Sequence, residues 1–104
     1  MPSLDDARQE VLINRLQSRN VPDHLHYGIA TYILRGVPPG DFLIGFIASD
    51  IKKLFAHGDE KSLRGLRDLA MFFYNDAPFQ CWGSRENFEA WVTRGGLDGF
   101  LKNP

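Results

Sequence analysis

Glycine and proline stops cut this 104-residue chain into short segments, and between the stops apolar residues recur at the spacing of a helix face. The stops are Asn20-Val21-Pro22-Asp23, Gly36-Val37-Pro38-Pro39-Gly40, Gly58 and Gly95-Gly96. Before the first, Ser3 can cap a helix whose opening turn carries Asp5 and Asp6, acids suited to a helix N-terminus. Leu4, Val11, Leu12 and Leu16 supply its apolar stripe. Pro22 suits the start of a second helix, with Leu25, Ile29, Tyr32 and Ile33 inward and Gly36 at the left-handed position that ends it. Asp41 can cap a third helix. Its broad arc of Phe42, Leu43, Phe46, Ile47, Ile51, Leu54 and Phe55 predicts one continuous, central helix running to Gly58. Gly45 inside it points to a close helix–helix approach.

Asp59 or Ser62 opens a fourth helix with a stripe of Leu63, Leu66, Leu69, Ala70, Phe73 and Tyr74. Ser84 caps a fifth, with Phe88, Trp91 and Val92 inward, and Leu97, Phe100 and Leu101 form a last short turn. No segment alternates with period two between hairpin turns, and no solenoid repeat is present. The expected architecture is all-α: one domain over 1–104, core about 4–101, of about five short helices with an ordered aromatic-rich loop between helices four and five.

Composition narrows the function classes. Twelve Lys+Arg against thirteen Asp+Glu leave a formal charge of −1, without the basic excess of a dedicated duplex-DNA binder or the acidic excess of a DNA mimic. Specific nucleic-acid binding is therefore not expected. A single Cys, a polar N-terminus and no long apolar run predict a soluble cytoplasmic protein without a membrane partner.

The stretch from Tyr74 to Ser84 (Tyr-Asn-Asp-Ala-Pro-Phe-Gln-Cys-Trp-Gly-Ser) is too aromatic for a solvated linker and too irregular for a helix. An ordered loop on a rigid scaffold is where binding groups concentrate. Tyr74, Asn75 and Trp82, with Asp50 and Lys53 of the third helix, are the candidate ligand- or partner-binding residues. Large aromatics beside hydrogen-bonding groups are the mixture small-ligand pockets use. For Trp82 a second reading stands alongside: a core plug that pins the loop. Asp50 likewise either lines the pocket or caps a neighbouring element.

Catalytic and metal chemistry find little support in the spacing. His24-x-His26 places two rings on opposite sides of a helix, and no Cys-x-x-Cys or His-Glu-x-x-His pattern occurs, so neither a metal nor another cofactor is expected. Cys81, just before the Ser84 cap, could be activated by a helix N-terminus, but a cysteine among aromatics is usually a small buried hydrophobe. An enzyme using Cys81 or His26 with Asp50 is the alternative to a binding protein. A weak helix-turn-helix-like DNA binder is the second alternative.

Val21-Pro22-Asp23-His24-Leu25, Gly36-Val37-Pro38-Pro39-Gly40-Asp41-Phe42-Leu43, Ser49-Asp50-Ile51, Tyr74-Asn75-Asp76-Ala77-Pro78 and Cys81-Trp82-Gly83-Ser84 resemble segments of small helical proteins encoded by bacteriophages and prophages. The resemblance implies an accessory factor of a bacterial host's cytoplasm, without catalysis. It would act by binding a host protein or a small anionic, nucleotide-like ligand, with homo-oligomerisation left open.

Overall fold

The computed structural model describes the backbone of residues 4–102 and the side chains of residues 7–99. Among the described residues it is all-helical: α1 (Leu4–Ser18), α2 (His26–Arg35), α3 (Asp41–Ile47), α4 (Ile51–His57), α5 (Glu60–Arg64), α6 (Leu66–Asp76), α7 (Arg85–Arg94) and α8 (Gly96–Lys102). Single 3₁₀ turns at Asp23–Leu25 and Phe79–Cys81 lead into α2 and α7. The expected Ser3 cap lies outside the described residues, as do the side chains of Leu4, Asp5, Asp6, Phe100 and Leu101.

Among the described residues eight helices replace the five expected, because two expected helices are broken and the expected last short turn is a helix, α8. The third splits at Ala48-Ser49-Asp50. The Asp50 amide donates to the Gly45 carbonyl (2.8 Å) and the Ser49 amide to that of Phe46 (3.2 Å). With Ser49 left-handed at φ 59°, this is a Schellman ending without its usual glycine. Asp50 then caps α4, its carboxylate accepting from the Lys53 amide at 3.1 Å. Folded back in this way, α4 lies so close to α3 that a β-carbon on Gly45 would come within 2.6 Å of the Leu54 nitrogen. The expected close approach at Gly45 is thus between two halves of one expected helix. The turn also carries Ile51 and Phe55 out of the expected apolar arc, leaving them 70% and 57% exposed.

The fourth expected helix breaks at Gly65, where the ring of Pro22 packs against the missing side chain; an added β-carbon would lie 2.6 Å from Pro22 Cγ. The remaining punctuation falls where the residues demand it. Gly36 and Gly95, at φ 70° and 87°, end α2 and α7. Asp59 caps α5 and Ser84 caps α7 through the Ser62 and Asn87 amides. Asp41, expected as a cap, is the first helical residue of α3, after Gly40.

The central helix is α2 rather than the expected third. His26, Ile29, Ala30, Thr31, Tyr32, Ile33 and Leu34 are all buried, with α1 and α8 packed alongside. Leu16 is buried beneath them, but Val11, expected in the same stripe, is exposed. Tyr32 ties the layers together. Its hydroxyl donates to the Cys81 carbonyl at 2.6 Å, its carbonyl accepts from Trp91 Nε1 at 2.9 Å, and its ring stacks on Phe88. No helix among the described residues is long and apolar enough to cross a membrane.

Candidate functional site

The aromatic segment is built from the end of α6 and the connection to α7. Tyr74, expected on the fourth helix's stripe and at the start of the loop, completes the last turn of α6 with Asn75 and Asp76, which were expected in the loop, and Ala77 turns extended to end it. Beyond it, each residue of Cys81-Trp82-Gly83 is bonded to a helix or its end. The Cys81 carbonyl accepts from Tyr32, and the Trp82 carbonyl from Asn87 Nδ2 at 2.8 Å. The Gly83 amide donates to the Ile47 carbonyl (2.8 Å), and its carbonyl accepts from the Ser49 hydroxyl (2.9 Å). At φ 103°, Gly83 occupies backbone space that a side chain would strain. The connection is an ordered part of the fold, as its composition suggested.

These anchors place Trp82 among three other rings. Phe46 of α3 stacks on it with centroids 5.7 Å apart and planes 2° apart, Phe73 of α6 meets it tilted at 5.4 Å, and Tyr74 meets it edge-to-face at 4.9 Å. Phe73 is buried, Trp82 is half-buried, and Tyr74 lies outermost with 75% of its surface exposed. Met71, one turn back on α6, and Phe79, on the 3₁₀ turn, are also exposed, the latter at 78%. Tyr74 and Trp82 thus form an aromatic surface over the buried Phe73.

The other candidate residues have local roles. Asn75 donates back to the Met71 carbonyl at 2.8 Å. Asp50 is engaged as the α4 cap, and Lys53 lies 3.6 Å from Asp41. Tyr74 and Trp82 are thus in contact with each other, while Asp50 and Asn75 bond within their own helices and Lys53 of α4 reaches towards Asp41 of α3. The principal clefts are lined by other residues, along α7 and between α2, α3 and α5. Phe79 was not among the expected site residues; its signal was an isolated large apolar side chain directly after Pro78. Asp76 is nearly buried and accepts from Arg15 (3.1 Å) and Arg19 (2.8 Å), fastening α6 to the end of α1.

Of the residues considered for catalysis, Cys81 and His26 are both buried. Cys81 is completely buried, and burial pushes its thiol up to about 12, far from the thiolate a nucleophile needs. His26 is buried with Nε2 at 2.7 Å from the Val21 carbonyl, which makes Nε2 the protonated nitrogen and the imidazole a donor to backbone. Among the described residues no group of three His, Cys, Asp or Glu side chains is arranged to hold a metal ion.

No protein-family model matches the chain, and neither a curated protein nor a solved structure is significantly similar to it.

Proposed function

We propose that this is a non-catalytic binding protein that docks another protein through the Tyr74–Phe79–Trp82 surface, as an accessory factor of phage type in a bacterial cytoplasm. The observation that carries the reading is the exposure of Tyr74 and Phe79 beside a connection bonded to the scaffold at three successive residues. Aromatic side chains held in advance lose little conformational freedom on association, and such residues dominate the energetics of protein interfaces. A small anionic ligand is the less favoured partner. Phe46 already stacks on Trp82, and Lys53 sits beside Asp41, so the ring and the cation expected to serve such a ligand are both engaged.

The test is photo-crosslinking in expressing cells, with benzoylphenylalanine in place of Phe79 and, separately, of the exposed Arg64 on α5. Adducts to a defined host protein from position 79 but not from position 64 are expected. Equal labelling at both positions, or none from 79, would count against the docking surface.

A further inference from the structure

A separate cleft of about 410 Å³ opens between α2, α3 and the junction of α4 with α5. Leu25, Phe42 and Leu43, all buried, form its apolar part, and Gly28 on α2 leaves the space where a side chain would stand. Four titratable residues from four places in the chain line it: His24 before α2, Asp41 on α3, His57 at the end of α4 and Asp59 before α5. A concave site that joins apolar walls to a few convergent polar groups is the usual form of a small-molecule site.

The hydrogen-bonding capacity of this lining is largely unspent. Among the described residues, neither oxygen of Asp41 accepts a hydrogen bond: Lys53 Nζ is 3.6 Å away and His57 Nδ1 3.9 Å. Asp59 uses one oxygen, accepting from the Ser62 amide at 2.7 Å, and that bond helps to hold its carboxyl below the usual range, hence ionised. His24 shares its Nε2 with the Ser62 hydroxyl at 2.7 Å, and its second ring nitrogen has no partner among the described residues.

We infer that this cleft binds a small organic cation with a guanidinium or ammonium head and a short apolar body. The two carboxylates offer oxygens that can accept from N–H donors, a guanidinium meets carboxylates in a paired geometry, and the apolar wall suits an alkyl stem. An anionic ligand would meet two like charges. The inference is independent of the aromatic surface, which shares no residue with the cleft.

The test follows the ring-proton resonances of His24 and His57 while n-butylguanidinium is added, with n-butylurea as the uncharged isostere. Saturable shifts of both histidines are expected, with the urea at least about tenfold weaker. Asp59→Asn keeps a good helix cap while removing the charge. It and Asp41→Asn should each weaken guanidinium binding about tenfold without moving the thermal midpoint. Acetyl-arginine amide separates two sources of the same chemistry: tighter binding than butylguanidinium assigns the site to a side chain, weaker binding to a free cation. An absence of saturable shifts, equal response to the urea, or undiminished binding by both variants would overturn the proposal.

Discussion

Aromatic residues in this protein divide by depth, and substitution should separate them. Phe73 is fully buried, so Phe73→Ala is expected to cost about 3–5 kcal/mol. Tyr74 contributes an edge contact and little burial, so Tyr74→Ala should cost no more than about 1 kcal/mol in urea denaturation. Trp82 belongs between them: three ring contacts but partial exposure place Trp82→Ala at about 2–3 kcal/mol. Asp76→Ala removes the acceptor of both Arg15 and Arg19 and should cost about 1.5–3 kcal/mol.

Cys81 gives a pH dependence with a definite sign. Its folded pKa is raised by burial to about 12, whereas an unfolded thiol titrates near ~8.5. The thiol contribution is fully present below ~8.5 and is lost as pH rises toward about 12, at about 1.4 kcal/mol per pH unit. Tyr32, also raised by burial, adds a second loss at higher pH. Denaturation midpoints measured from pH 8 upward should fall less steeply in Cys81→Ala than in the parent, whatever the baseline cost of the cavity; parallel slopes would contradict the buried-thiol assignment.

Elements show where sequence reasoning succeeded and where it stopped. Gly36, Gly58, Asp59, Ser84 and Gly95 each mark an observed boundary because residue and backbone requirement coincide. The break inside the expected third helix was hidden because its left-handed position holds serine, a residue with no reputation as a stop. Its stabilising partner, the Gly83 carbonyl, lies 34 positions away. Gly65 was similarly disguised, since the reason for it is the ring of Pro22, on another segment. Single-helix periodicity consequently assigned Ile51 and Phe55 to the core. Gly45 was legible as a close approach, but not as one between neighbouring halves of a hairpin. Gly45→Ala should cost about 1–3 kcal/mol despite alanine's higher helix propensity, because the β-carbon meets Leu54 backbone rather than a movable side chain. A stability gain measured by chemical denaturation would show that α3 and α4 can separate at little cost.

At the scale of the whole molecule, an all-α core around α2 carries an aromatic surface on one region and a polar-rimmed cleft on another. The first was partly readable from the density of large side chains between Tyr74 and Ser84. The second was not, since His24, Asp41, His57 and Asp59 come together only through the α3–α4 hairpin and the turn before α5. The most direct measurement of the docking proposal compares the parent with Tyr74→Ser/Phe79→Ser, reading unfolding free energy and affinity for the crosslinked host protein on the same preparations. Affinity is expected to fall by at least about tenfold while stability changes by less than about 1 kcal/mol. Unchanged affinity, or affinity lost only in proportion to stability, would contradict a docking role for this surface.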